Sequence, residues 1–142
     1  MKQTVLFICT HNSARSQMAE AFFNKFFPNR FKAYSAGIEP TKINPHVVEV
    51  MAELGFDLSK NRSKSVNEFI GTQIDYVVTV CDGAKGACPF FPGAKNYIHR
   101  AFSDPSSFQG SEDEILKQIR RVRDEIQEWI KVTSSKLITV TK

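Results

Sequence analysis

Apolar residues change their spacing along this chain, and each change marks an element. QTVLFI (Gln3–Ile8) is a short run of β-formers and predicts a buried strand. From Ser16 the period turns helical. Met18, Phe22 and Phe26 recur at every fourth position with Ala19, Phe23 and Phe27 beside them, a face wide enough to bury against a sheet, and Pro28 and Asn29 end it. FKAYSAG (Phe31–Gly37) alternates as a second strand closed by Gly37. In NPHVVEVMAELGF, Asn44 caps a helix, Pro45 suits its first turn and Gly55 stops it. SVNEFI (Ser65–Ile70) predicts a short helix, Ile74–Val80 a strongly β-like strand leading into Cys81, and Asn96–His99 a fourth short strand. Ser111 and Glu114 make a capping box ahead of the longest helical pattern. Acids crowd its first turn, and Ile115, Ile119, Val122, Ile126 and Trp129 share a stripe. KLITVT, near the end, reads as an extra strand or extended tail, giving a domain at 1–132 and a tail at 133–142.

Strands alternating with helices predict a single α/β domain: a three-layer sandwich with a four-stranded, mainly parallel sheet flanked by helices. Binding sites in such sheets lie at the carboxyl ends of strands, so Cys9 and Cys81, each following a strand, are expected on one edge. The 142 residues can bury a sizeable core, and the 42% hydrophobic content excludes disorder. No apolar run is long enough to span a membrane, and MKQTVLFICTHN reads as a first strand, not a secretory signal; a cytoplasmic location is expected. The net charge of +4 favours anionic ligands without requiring nucleic acid. The densest basic patch, KNRSK (Lys60–Lys64), reads as a solvated loop. No membrane or nucleic-acid partner is expected. Three cysteines, an odd number, argue against a disulfide framework, and His11, His46 and His99 lack zinc-type spacing, so no metal is expected. Reactive thiols are the better reading.

The chemistry concentrates in CTHNSARS, Cys9 to Ser16. A tight loop from a strand into a helix turns successive backbone N–H groups inward, and the helix N-terminus adds partial positive charge. The N–H groups of Thr10, His11, Asn12, Ser13, Ala14 and Arg15 can surround a tetrahedral oxyanion, and the Arg15 guanidinium forks onto two of its oxygens. Cys9 sits at the floor of that cradle, where the same field favours its thiolate and Ser16 can donate to its sulfur. Cys9 can then attack the central atom of the bound ion.

VLFICTHNSARSQMAEAFF resembles the low-molecular-weight protein tyrosine phosphatase superfamily and, within it, the thioredoxin-coupled arsenate reductases. The resemblance extends through YSAGIEP (34–40), the NP helix start at Asn44, VVTVCDGAKGACPFFPG (77–93), FSDPSS (102–107) and IRRVRDEI (119–126). It implies that Cys9 attacks arsenate and that Asp104, in a loop stiffened by Pro105, is the general acid. It also implies a relay: Cys81 attacks the Cys9–arsenic adduct, then Cys88 attacks Cys81 and presents a disulfide to thioredoxin or a similar dithiol protein. Gly83 and Gly86 between them permit the backbone to rearrange. No tightly bound cofactor is implied; a glutaredoxin–glutathione route is the alternative electron source.

Departures from the family pattern are informative. His11 stands where many relatives have Gly, and Ala14 where many have Cys. Some reductases hold potassium beside the loop through Asn, Glu, Ser and Asp. Asn12, Glu20 and Ser35 match, but the fourth place offers Ser65, which speaks against a monovalent-cation site. Ser106 and Ser107 follow Asp-Pro where tyrosine phosphatases often carry aromatics, which suits a small inorganic ion. The rival readings are a phosphatase using Cys9, Arg15 and Asp104 alone, and a non-catalytic oxyanion binder or redox sensor.

Overall fold

The computed structural model describes residues 2–80 and 93–140, with side chains up to residue 133. Four strands, β1 (Gln3–Cys9), β2 (Phe31–Gly37), β3 (Ile74–Thr79) and β4 (Ala94–His99), form one parallel sheet in the order β2-β1-β3-β4. β1 is central: Cys9 lies opposite Gly37 on one side and Ile8 opposite Thr79 on the other, while Thr79 in turn faces His99. The carboxyl ends of all four strands therefore share an edge.

Burial on both faces explains the unbroken apolar run of β1. Val5, Phe7 and Cys9 point into the larger core with Met18, Phe22, Phe23, Val50, Met51, Ile119 and Ile126. These residues belong to α1 (Arg15–Phe26), α2 (Pro45–Ala52) and α3 (Glu112–Val140), which cover that face. Leu6 and Ile8 point the other way, with Ala36, Ile74 and Val77, beneath Tyr34, Phe69 and Val66. The last two come from a short 3-10 helix, Val66–Phe69. The result is the expected three-layer α/β arrangement.

The helix ends follow local chemistry. Asn44 Oδ1 accepts from the His46 N–H at 2.9 Å, and Gly55, at φ +88°, turns the chain after α2. Ser111 Oγ accepts from the Glu114 N–H at 3.2 Å to start α3. The buried Arg123 donates to the Val50 carbonyl (2.9 Å) and to Glu53 (2.8 Å), which also accepts from Arg120 Nε and Nη2, locking α2 to α3. The Arg120 bonds hold the Glu53 carboxyl below the usual carboxylate range, so the lock is ionic at neutral pH.

Two expectations at the C-terminal end are corrected. The helix does not stop near 132; it runs to Val140, so residues 133–140 form no extra strand. No Gly or Pro interrupts this stretch, and extending an existing helix costs far less than nucleating one, which outweighs the weak β-preference of Ile138, Thr139 and Val140. The buried stripe of α3 is also rotated: Leu116, Ile119, Val122, Ile126 and Ile130 are buried, while Ile115 and Trp129 lie at its margin.

Candidate functional site

The loop between β1 and α1 is held by its carbonyl groups. Thr10 O accepts from the Glu39 N–H (2.9 Å), His11 O from the Thr41 N–H (3.2 Å) and Ser13 O from the Asn44 N–H (2.9 Å). Asn12 O accepts from Ser63 Oγ at 2.9 Å and from Gln17 Nε2 at 3.3 Å. In a trans peptide the N–H points opposite the carbonyl. Anchoring four consecutive carbonyls on the outside thus turns the N–H groups of His11, Asn12, Ser13 and Ala14 to the concave side. Among the described residues these four have no acceptor. Arg15 begins α1, so the helix N-terminus faces the same point.

Asn12 is the keystone of this loop. It is fully buried and adopts φ +52°, a conformation that asparagine tolerates better than most residues. Its Oδ1 accepts from Gln17 Nε2 (2.9 Å) and from the Lys64 N–H (2.8 Å), and its Nδ2 donates to Ser16 Oγ at 2.7 Å. Ser16 Oγ lies 2.9 Å from Cys9 Sγ. Asn12 takes one lone pair of the Ser16 oxygen, and the hydroxyl proton remains available to the sulfur. The Cys9 sulfur is thus joined through Ser16 to the buried Asn12 side chain.

Gln17 and the 61–65 segment went unrecognised in the sequence. KNRSK is more than a solvated loop: Lys60 and Arg62 are exposed, yet Arg62 O accepts from Gln17 (3.0 Å), and Ser63 Oγ and the Lys64 N–H both grip Asn12. Much of its work is done by backbone groups, which composition does not reveal. Gly37 completes the packing. A Cβ there would come within 2.7 Å of Asn12 N and 2.8 Å of both the His11 carbonyl carbon and Thr10 O. Gly37→Ala is therefore expected to lose about 1–3 kcal/mol of stability in urea unfolding, the cost of overpacking against backbone that cannot swing aside. It should also slow alkylation of Cys9.

Arg15 is buried beneath the loop; its Nη1 donates to Phe102 O at 3.2 Å and its Nη2 lies 3.7 Å from Asp104 Oδ2. Asp104 caps a turn at Pro105–Ser107, its Oδ1 accepting from the Ser106 N–H at 3.0 Å. Burial acts to raise the Asp104 carboxyl, but the Ser106 bonds and the neighbouring Arg15 and His11 outweigh it and hold it below the usual range. The carboxyl thus rests ionised, and its tendency to take a proton should rise when a bound anion offsets the Arg15 charge. His11 Nδ1 lies 2.9 Å from the Glu39 carbonyl, which can only accept, so Nδ1 carries a proton. His11, Ser13, Lys42, Ile43 and Ser106 line an open cleft of about 800 Å³ at the mouth of the loop.

The four residues at the potassium position of some relatives do not fit an added cation. Asn12 Oδ1 is already taken twice, and Ser65 Oγ accepts from the Asn67 N–H at 3.1 Å. Lys64 Nζ stands 3.4 Å from Ser35 Oγ and 3.9 Å from Glu20 Oε1. Burial pushes Glu20 up and Lys64 down from their ordinary values. Among the described residues no cluster of three His, Cys, Asp or Glu side chains could hold a metal, and no helix is long and apolar enough to cross a membrane. The structure thus brings Cys9, Thr10, His11, Asn12, Ser13, Ala14, Arg15, Ser16 and Asp104 into one site. Cys81 and Cys88 lie outside the described residues.

Residues 4–138 match the low molecular weight phosphotyrosine protein phosphatase family. The chain is 41% identical over 130 residues to an arsenate reductase of Halalkalibacterium halodurans, covering 92% of this chain and 94% of that one. Its fold matches the crystal structure of an arsenate reductase from Archaeoglobus fulgidus with a TM-score of 0.76 at 34% identity, over 91% of this chain and 97% of the other. A thioredoxin-dependent arsenate reductase of Corynebacterium glutamicum matches with a TM-score of 0.62 at 30% identity, over 93% of this chain and 63% of that longer one.

Proposed function

Because the chain belongs to the low molecular weight phosphotyrosine protein phosphatase family, we propose that it uses that family's oxyanion loop to reduce arsenate to arsenite. The observation that carries this reading is Cys9 Sγ, 2.9 Å from Ser16 Oγ, at the floor of a loop whose four carbonyls from Thr10 to Ser13 are anchored outward and whose exit is Arg15. The likeness to arsenate reductases over almost the whole chain supports arsenate as the substrate.

Arsenate binds to the N–H groups of residues 11–14 and to the Arg15 fork. The Cys9 thiolate attacks arsenic; an S–As bond forms, and one oxygen leaves as water with a proton relayed by Asp104. Cys81 then attacks the Cys9 sulfur. The S–As bond breaks, its electron pair stays on arsenic, arsenite departs and a Cys9–Cys81 disulfide remains. Cys88 attacks Cys81, freeing Cys9, and thioredoxin or a similar dithiol protein reduces the Cys81–Cys88 disulfide. No tightly bound cofactor takes part. The thioredoxin-dependent Corynebacterium relative supports this choice of donor.

The test is a coupled assay with thioredoxin, thioredoxin reductase and NADPH. Arsenate-dependent NADPH loss over many turnovers is the expected result; a single stoichiometric burst would mark an oxyanion binder instead. Hydrolysis of a phosphate monoester without any arsenate turnover would favour the phosphatase reading, which needs only Cys9, Arg15 and Asp104. Ser106 and Ser107, both exposed where an aromatic clasp would sit, weigh against that reading. Asp104→Asn is expected to lower kcat on the order of 10²-fold, at the low end for loss of a general acid. Its KM for arsenate should not rise, since the change removes a negative charge 3.7 Å from Arg15.

A further inference from the structure

Behind the oxyanion loop, three oxygen acceptors from different elements converge on one ammonium. Lys64 Nζ lies 3.9 Å from Glu20 Oε1 on α1, 3.4 Å from Ser35 Oγ on β2 and 3.4 Å from the Arg62 carbonyl. The Glu20 and Lys64 side chains are only 19% and 17% exposed, and Ser35 is fully buried. A carboxylate, a hydroxyl and a carbonyl around one point are the oxygen donors that a hard cation prefers. Here a covalently tethered cation fills that point. The same residue is wired to the nucleophile: the Lys64 N–H holds Asn12 Oδ1 (2.8 Å), Asn12 Nδ2 holds Ser16 Oγ (2.7 Å), and Ser16 meets Cys9 Sγ (2.9 Å). Lys64 O also accepts from the Gly37 N–H at 2.8 Å, fixing the segment to the end of β2.

We propose that the Lys64 ammonium is a built-in substitute for a free monovalent cation, and that Lys64 acts as a positioning residue on Cys9 through Asn12 and Ser16. The chemistry at Cys9 then proceeds equally well without potassium or sodium. Removing the ammonium leaves the largely buried Glu20 with only Lys32 as a cation acting on it and the Ser35 hydrogen bonds, a less favourable state, and opens room for an alkali cation beside it.

The inference rests on the arsenate reading only for one of its two measurements. Wild type and Lys64→Ala are compared in choline, sodium and potassium chloride at equal ionic strength. The first measurement is alkylation of Cys9 by iodoacetamide, and its protection by inorganic phosphate, in a Cys81→Ser/Cys88→Ser background. The second is arsenate turnover in chains keeping all three cysteines. The wild type is expected to vary by less than about 1.5-fold among salts matched for screening. Lys64→Ala is expected to lose about tenfold in phosphate protection and in turnover in choline, a typical size for coupling through a packed network, and to recover most of it in potassium. A lysine that merely filled space would give no cation-specific rescue.

Several-fold activation of the wild type by potassium would overturn the proposal, as would a Lys64→Ala chain that equals the wild type in choline or that no cation restores. Should Lys64→Ala not fold, Glu20→Gln/Lys64→Met removes both charges together and should be indifferent to the cation; potassium activation of that chain would count against the proposal. Absence of arsenate turnover in every salt, with phosphate protection behaving as expected, would refute the arsenate reading and leave this one standing.

Discussion

Arg15→Lys is expected to lower kcat/KM for arsenate by about 10³-fold, at the upper end of what removing one preorganised oxyanion donor costs. The change keeps the charge, so the loss measures geometry. Arg15 is only 3% exposed, with Nη1 spent on the Phe102 carbonyl at 3.2 Å and Nη2 directed toward Asp104 at 3.7 Å. The guanidinium is planar and is thereby held at a fixed tilt, leaving its remaining N–H groups for two oxygens of the ion. An ammonium has no such plane: it can satisfy the Phe102 carbonyl or the ion, but not both with good angles. A lysine desolvated in this position also tends to shed its proton. Steady-state turnover and phosphate protection of Cys9 from alkylation should fall together, because binding of the tetrahedral ion and of the transition state both use the fork. Retention of wild-type kcat/KM would show that the loop N–H groups suffice and that Arg15 serves only to hold Phe102 and Asp104.

What the sequence made legible, and what it hid, divides along a physical line. Elements set by their own side chains were readable: the apolar run of β1, the Asn44–Pro45 start of α2 and the Ser111–Glu114 cap all stand where periodicity and capping chemistry put them. The geometry of the Cys9–Arg15 turn was readable because a strand, a tight loop and a helix in succession turn successive N–H groups inward. Contacts made by backbone groups at long range were not. Nothing in KNRSK announces that the Lys64 N–H will hold a side chain 52 positions earlier, or that Gln17 will bridge Asn12 and Arg62. Gly37 ends a strand in the sequence; only the packing shows that a methyl group there would strike Asn12. The end of α3 failed for a different reason. A β-branched composition over Ile138–Val140 is a weak local preference, and it lost to a helix already propagating into it.

Cys81→Ser and Cys88→Ser are expected to abolish multiple turnover entirely, yet to differ in the first cycle. Reducing one arsenate takes two electrons, and one thiol cannot supply them by disulfide formation. With Cys81 replaced, the Cys9–arsenic adduct has no resolving thiolate in the proposed relay, and no arsenite should appear. With Cys88 replaced, Cys81 still attacks Cys9, so each chain should release one arsenite and stop with Cys9 and Cys81 joined. Rapid-quench counting of arsenite per chain separates zero, one and many, and mass spectrometry of the alkylated product locates the disulfide. Both variants should keep phosphate protection of Cys9, because the loop that binds the ion is built from residues 9–16 and anchored by residues 37–64. Thiol–disulfide exchange needs an attacking thiolate in line with the sulfur it attacks, so serine, nearly isosteric but unable to form the bond, isolates the redox step from the packing. Sustained turnover by Cys88→Ser would mean that the electron donor reaches the Cys9–Cys81 disulfide directly, and the three-thiol relay would then be wrong for this chain even if arsenate is its substrate.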